Sequence, residues 1–297
     1  MKLPNDPLTP EMREIIAIVP ARRSLDINER RRRTRDAALS WNRGALDGLT
    51  RIDGDYEITD GSRPAVLVTR NSDTHNPITF VHGGGWSVCD LETHLGVFAG
   101  LAHASDRPVW APHPRQAPES AYPIPLGDIV AALRSQASNQ ARVAACGDSA
   151  GANLLLSAVL KARDEGEPIN LSALVLFYGS FRKKFDTDSH REFGDGFGLR
   201  TIDSRRSWSL YAPEGGKYAD LSGADFTGLP SVQLHLAKCD PLSDDTRWLH
   251  EQLKLAGTPC ELIEWPGMAH GFLHHMQTLP QAREALEIAA RFFQTHD

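Results

Sequence analysis

Short apolar runs alternate with longer amphipathic stretches along most of this chain. The short runs, rich in β-branched and other apolar residues, predict strands over residues 51–58, 64–69, 77–81, 108–111, 141–146, 171–178, 231–237 and 260–264. The longer stretches predict helices over residues 10–19, 24–41, 91–104, 124–138, 150–164, 243–256 and 279–294. Strands that alternate with helices in this way predict an α/β fold, with a mostly parallel, twisted sheet and helices on both faces.

One segment interrupts this alternation. Residues 179–224 are aromatic, glycine-rich and charged, with one helix-like stretch near residues 202–211. In sheets of this kind ligands bind beyond the carboxyl ends of the strands, where an insertion can cover them. We therefore predict a core of residues 51–178 and 225–297. The N-terminal helices of residues 1–50 and the insertion 179–224 are predicted to form a helical cap over it.

Composition narrows the classes of partner. The 297 residues include 32 Lys and Arg against 38 Asp and Glu, a net charge of −6, which gives no reason to expect nucleic acid. No apolar run approaches the ~20 residues of a membrane span, and the first residues lack the apolar stretch of a secretory signal. The four cysteines lack the spacing of a zinc or redox site. We expect a cytoplasmic protein with reduced thiols and no membrane partner.

The second predicted helix contains a basic run, Arg30 to Arg33 followed by Arg35. Such a run is either a solvated helix face or a patch that binds anions or a membrane surface. Nothing else in the sequence supports a patch. We therefore interpret the run as a solvated face.

The stretch Gly147-Asp148-Ser149-Ala150-Gly151 lies between a predicted strand and a predicted helix. The pattern G-x-S-x-G at such a junction is typical of a nucleophile elbow, a sharp turn that exposes the serine hydroxyl at the edge of the sheet. Glycines two residues before and after are needed because a Cβ atom would collide with neighbouring backbone. Ser149 is thus the predicted nucleophile.

A serine nucleophile also needs donors for the developing oxyanion. His82-Gly83-Gly84-Gly85-Trp86 follows the strand at 77–81, and three glycines there allow backbone N–H groups to approach a ligand closely. We predict an oxyanion hole formed by the N–H groups of Gly83, Gly84 and Ala150. His82 is interpreted as a structural brace for the loop.

The base and its orienting acid are predicted at the carboxyl ends of the last two predicted strands. Asp240 follows the strand at 231–237, and His270 follows the strand at 260–264, which completes the chain order Ser, acid, His. Asp244 and Asp245 lie further into a helix and are expected to be solvated. His274 and His275 are likewise expected to be solvated.

Together, His82-Gly83-Gly84-Gly85-Trp86, Gly147-Asp148-Ser149-Ala150-Gly151, Asp240-Pro241-Leu242 and His270-Gly271-Phe272 resemble motifs of the bacterial hormone-sensitive-lipase-like esterases. The segment Asp90-Leu91-Glu92-Thr93-His94 fits the same resemblance, whereas Pro114 and Gln116 depart from the family's Y-R-L-A-P-E pattern. The resemblance implies an α/β-hydrolase fold and hydrolysis of short-chain carboxylic esters without metal or cofactor. It also implies a small-molecule ester as substrate and, often in this family, a homodimer.

We therefore predict a serine carboxylesterase that works through an acyl-enzyme, with Ser149, Asp240 and His270 as its triad. Aromatic residues provide either a substrate pocket or the small core of the cap: Trp86, Phe181, Phe185, Trp208 and Tyr211. Two alternatives stay open. One is an amidase, deacetylase or lactonase that acts on a secondary metabolite with the same triad, and the other is a non-catalytic small-molecule receptor on the same scaffold.

Overall fold

The computed structural model describes residues 6–18, 26–70 and 74–296, and within them one eight-stranded sheet forms the centre of the protein. The strands are β1 (Thr50–Ile58), β2 (Gly61–Thr69), β3 (Ile78–Val81), β4 (Val109–Pro112), β5 (Val143–Asp148), β6 (Leu171–Phe177), β7 (Ser231–Ala237) and β8 (Cys260–Trp265). Their order across the sheet is β1-β2-β4-β3-β5-β6-β7-β8. The first two pairings are antiparallel and the other five are parallel.

Helices cover both faces of this sheet. They are α1 (Pro10–Ile18), α2 (Ile27–Trp41), α3 (Leu95–Ser105), α4 (Ile124–Asn139), α5 (Ala150–Asp164), α6 (Asp188–Phe193), α7 (Thr201–Tyr211), α8 (Ser243–Leu255) and α9 (Pro280–His296). One apolar core joins α1, α3 and α9 to one face, and another joins α4, α5 and α8 to the other face. None of these helices within the described residues is long and apolar enough to cross a membrane.

The predicted α/β fold is confirmed. Each predicted strand is present with bounds that differ by a few residues at most, because alternating apolar runs are a strong local signal. The start of the second predicted helix, at Ser24, lies outside the described residues. Helix α6 was missed because its six residues are mostly polar and show no apolar period; Thr187 caps it by accepting the N–H of His190.

The basic run of α2 faces in two directions. Arg32 and Arg33 are solvated and pair with Glu29, at 2.8 Å in each case, as the interpretation of a solvated face requires. Arg30 is only 4% exposed, however, and lines the pocket described below. The interpretation is therefore wrong for Arg30, because the helix turns this position toward the core.

Arg31 fastens α2 to the core. Its guanidinium donates to the carbonyl oxygens of Ser87 (2.8 Å) and Ala117 (3.0 Å). It also forms two hydrogen bonds of 2.8 Å with the carboxylate of Glu119. These bonds connect the N-terminal helices to the two loops that follow β3 and β4, so Arg31 too is part of the fold rather than of a solvated face.

The tightest backbone contact in the core lies where α5 crosses the end of β3. A Cβ atom at Gly151 would collide with the carbonyl oxygen of Val81 and would lie 2.5 Å from that of His82. Only glycine allows this approach, which brings the loop after β3 against the start of α5.

Replacing Gly151 by alanine should therefore force backbone apart and destabilise the protein by about 1–3 kcal/mol or more. Gly127→Ala is the matched control, because this exposed glycine of α4 has open space around it and alanine should add about 0.5–1 kcal/mol of stability there. Urea denaturation measures both free energies of unfolding. Equal free energies of unfolding for the two variants would contradict the claim that position 151 requires glycine.

Candidate active site

Three side chains meet at the carboxyl edge of the parallel strands. Ser149 directly follows β5, Asp240 lies three residues after β7, and His270 lies five residues after β8. Ser149 has a φ of +53°, in the left-handed region that non-glycine residues rarely adopt. This turn lifts its side chain out of the sheet and begins α5, whose positive end lies beneath it.

Hydrogen bonds connect the three residues in one line. Ser149 Oγ lies 2.9 Å from His270 Nε2, and His270 Nδ1 lies 2.7 Å from Asp240 Oδ2. Asp240 is fully buried, and its other oxygen accepts the N–H of Leu242 at 2.9 Å. With Nδ1–H donating to the carboxylate, Nε2 is left to accept the serine proton. The structure thus brings together the three residues that the sequence predicted. They are arranged as serine, histidine and carboxylate, with the carboxylate orienting the histidine.

The environment of His270 favours its charged form. Burial alone would lower the pKa of this imidazole, but the Asp240 carboxylate beside it more than offsets burial and raises the pKa above its ordinary value. The Asp240 carboxylate therefore stabilises the imidazolium that forms when His270 accepts a proton.

The glycine loop differs from the predicted oxyanion hole at one position. The N–H of Gly83 donates to Asp148 Oδ1 at 2.7 Å, so it is not available to a substrate. Within the described residues the N–H groups of Gly84 and Gly85 meet no acceptor, and both residues line the pocket beside Ser149 and Ala150. The N–H of Gly83 is thus occupied, contrary to the prediction, and Gly85 joins Gly84 as a candidate donor. We call residues 83–85 the oxyanion loop.

His82 stays outside the hydrogen-bonded line of the triad. Its Nδ1 lies 2.9 Å from the carbonyl oxygen of Gly83, and its Nε2 lies 2.9 Å from His113 Nδ1. Burial lowers the pKa of His82 to about 3, so the ring is neutral at physiological pH. These contacts match the predicted role as a brace for the loop.

Two residues that were expected to be solvated are packed by the protein: Asp245 is buried, and His274 is half-buried. Asp245 is 3% exposed and accepts the N–H groups of Phe181 and Arg182, both at 3.1 Å, and the Arg182 guanidinium at 2.9 Å. Burial outweighs these partners and raises the pKa of Asp245 to about 6. Asp245 therefore anchors the start of the insertion to α8. Sequence alone did not reveal this anchor because its partner lies 63 residues away.

His274 is the second of these side chains. Its ring lies 4.4 Å from that of His94, centroid to centroid, and burial beside other histidines lowers its pKa well below the ordinary value. His94, Asp148 and His274 bring one donor atom each within 4.8 Å of one another, the arrangement among the described residues most like a metal site. Asp148 already accepts the Gly83 N–H and lies 3.2 Å from His94, so we interpret the cluster as a close contact between Asp148 and His94 with a neighbouring ring.

A cavity of about 350 Å³ opens above Ser149. Its wall is largely apolar and comes from both N-terminal helices, the oxyanion loop and α7: Met12, Ile15, Ile16, Trp41, Trp86 and Trp208. The sequence analysis predicted a cap from residues 1–50 but named no lining residue in α1 or α2. The i, i+3, i+4 spacing of Met12, Ile15 and Ile16 was an available signal.

The aromatic residues predicted for a substrate pocket or for the core of the cap divide into two groups. Trp86 and Trp208 line the cavity, whereas Phe181, Phe185 and Tyr211 do not. Tyr211 is fully buried and stacks on Trp86 with centroids 4.4 Å apart, and Phe181 is fully buried in the core around α5 and α8. Phe185 packs on His190 at 5.7 Å. Tyr211 therefore supports the cavity wall from behind through Trp86, whereas Phe181 is part of the core and Phe185 packs within the insertion.

Comparison with known proteins agrees with this geometry. Residues 78–274 match a family described as the alpha/beta hydrolase fold. The acetyl-hydrolase of Streptomyces hygroscopicus is 31% identical over 225 residues, which are 73% of this chain and 75% of that protein.

Two solved structures extend the comparison to the whole fold. An esterase of Pyrobaculum calidifontis superposes with a TM-score of 0.89 at 26% identity, over 97% of this chain and 99% of that one. A thermophilic carboxylesterase cloned from a metagenomic library gives a TM-score of 0.85 at 26% identity, over 92% and 98% of the two chains. The resemblance to hormone-sensitive-lipase-like esterases is thereby confirmed. This chain belongs to the alpha/beta hydrolase fold family.

Proposed function

We propose that this protein is a serine carboxylesterase that hydrolyses short-chain carboxylic esters through an acyl-enzyme. The observation that carries the proposal is the hydrogen-bonded line from Ser149 to His270 to Asp240, at 2.9 and 2.7 Å, at the floor of an apolar cavity. A serine hydroxyl becomes a nucleophile only when a base lies within hydrogen-bond reach, and this line provides that base.

The first half of the reaction forms the acyl-enzyme. Ser149 Oγ attacks the ester carbonyl carbon while its proton passes to His270 Nε2, and the carbonyl π electrons become an oxyanion. The N–H groups of Gly84, Gly85 and Ala150 stabilise that oxyanion. When the tetrahedral intermediate collapses, the ester C–O bond breaks and the alcohol leaves with the proton from Nε2.

The second half repeats these steps with water. His270 takes a proton from water, the hydroxide attacks the acyl carbon, and the carboxylic acid leaves as Ser149 regains its proton. Asp240 remains ionised throughout and stabilises the imidazolium form of His270. All groups that move protons in this scheme belong to this chain.

The size of the cavity supports a small substrate. About 350 Å³ lies near the lower end of the ~300–1,000 Å³ that ligand pockets commonly have. The Streptomyces hygroscopicus relative is named as an acetyl-hydrolase, and an acetyl group is a short acyl chain, which also supports a small substrate. In this proposal α1, α2 and the insertion 179–224 act as a cap, since residues from all three segments line the cavity.

The first test of the proposal is the nucleophile. Ser149→Ala should lower kcat/KM for p-nitrophenyl acetate by at least about 10⁴-fold, since alanine has no hydroxyl to acylate. Ser157→Ala is the matched control, because this buried serine lies on the same helix about 12 Å further along and should retain activity. Unchanged turnover by Ser149→Ala would refute the nucleophile. A matched anilide and a lactone, assayed in parallel, separate ester from amide or lactone preference.

The second test is the pH profile. Only neutral His270 can accept the serine proton, and its pKa is raised above 6.5, so kcat/KM should fall as pH drops through a value above 6.5. Asp240→Asn removes the carboxylate that raises the pKa of His270, so the acidic limb should move to lower pH. The same change should lower kcat by about 10⁴-fold, because the amide favours the wrong tautomer.

Asp244→Asn is the control for this experiment. Asp244 is half-buried at the start of α8, close to Asp240 in sequence, but it contacts Arg247 and Ser189 rather than His270. Its pH profile should match that of the unmodified protein. An acidic limb that stays in place in Asp240→Asn would assign the titration to a group other than His270.

A further inference from the structure

Asp148 connects the nucleophile to the oxyanion loop. It directly precedes Ser149, and its Oδ1 accepts the N–H of Gly83 at 2.7 Å. A Cβ atom at Gly83 would lie 2.7 Å from Asp148 Oδ2 and 2.8 Å from its carbonyl oxygen, so the loop lies directly on this residue. This hydrogen bond thus joins the residue before Ser149 to the residue before Gly84, one of the proposed donors.

The carboxylate is charged although it is buried. Asp148 is 3% exposed, and burial alone would raise its pKa. His94, whose Nε2 lies 3.2 Å from Oδ1, and the N–H of Gly83 outweigh burial and hold the pKa at about 2. Hydrogen bonds to an ionised acceptor are roughly twice as strong as those between neutral groups, so the bond to Gly83 holds the loop firmly.

His94 is itself held in place. It follows a closed turn in which the N–H of Thr93 donates to Asp90 Oδ1 and the N–H of Asp90 donates to Thr93 Oγ1, both at 2.9 Å. Its Nδ1 lies 3.1 Å from Thr93 Oγ1, which orients Nε2 toward Asp148. The aspartate therefore has a second, fixed partner at the same oxygen that accepts the Gly83 N–H.

We infer that Asp148 is a positioning residue, which sets the distance between Ser149 Oγ and the donors of Gly84 and Gly85. This inference rests on the proposed esterase function. Oxyanion donors act only when they lie within about 0.5 Å of the productive geometry, and without this hydrogen bond the loop has lost its direct link to the elbow. The Asp148 carboxylate touches no reacting atom in this scheme. Its effect on the reaction passes through the loop.

Two variants test the inference. Asp148→Ala removes the acceptor for Gly83 and should lower kcat by about 10²–10³-fold, the loss typical of one missing oxyanion donor. Asp148→Asn keeps an acceptor oxygen but loses the charge that strengthens the hydrogen bond, and should lower kcat by about three- to tenfold. KM should change less than about threefold in both, because the loop stabilises the oxyanion rather than the bound ester.

The inhibition constant of a trifluoromethyl ketone is a readout that a loss of protein stability by itself would not change. This probe adds to the serine and forms a stable oxyanion, so its Ki should rise by the same factor by which kcat/KM falls in each variant. Val143→Ala is the control, because this buried residue begins the same strand about 16 Å from Asp148. It should lower the melting temperature and leave kcat and Ki unchanged.

The outcomes distinguish a failure of the esterase function from a failure of the role inferred for Asp148. If the unmodified protein neither hydrolyses esters nor binds the ketone, the esterase function is refuted and the inference with it. If the unmodified protein is active and either Asp148 variant keeps its kcat and Ki, or loses kcat without a parallel rise in Ki, only the inference is overturned. Asp148→Asn decides the matter if Asp148→Ala does not fold.

Discussion

The sharp turn at Ser149 is the constraint on which the rest of this structure depends. A φ of +53° in a residue with a side chain costs of order 1–3 kcal/mol, and the surrounding packing must hold it. The N–H of Ser149 donates to the carbonyl oxygen of Phe177 at 2.8 Å, and β5 and α5 are buried on both sides of the turn. The glycines of the motif let β3 approach closely enough for its loop to lie against the serine.

Three buried carboxylates surround this turn, and their partners give them different roles. Asp240 is hydrogen-bonded to His270 and orients the proposed base. Asp148 is hydrogen-bonded to Gly83 and holds the loop beside the nucleophile. Asp245 accepts two backbone N–H groups and anchors the insertion, with a pKa raised to about 6 because burial prevails there. The site is thus connected to both the loop and the insertion by buried charge.

The N-terminal helices are part of the same construction. Arg31 joins α2 to the carbonyl oxygens of Ser87 and Ala117, close to the oxyanion loop. Met12 and Ile15 from α1 line the cavity and also pack in the core beneath α3 and α9. The two N-terminal helices therefore close one side of the cavity above Ser149.

The sequence by itself determined the α/β fold, the positions of the strands and the chain order of Ser149, Asp240 and His270. These features depend on local apolar periodicity and on motifs at strand ends, and parallel strands bring their carboxyl ends together whatever the loops between them. Only the tertiary structure decided that Gly83 bonds to Asp148, that Asp245 is buried and His274 half-buried, and that Tyr211 lies behind Trp86 rather than in the cavity wall. Each of these facts depends on which atoms meet across tens of residues, and short-range patterns carry no information on such contacts.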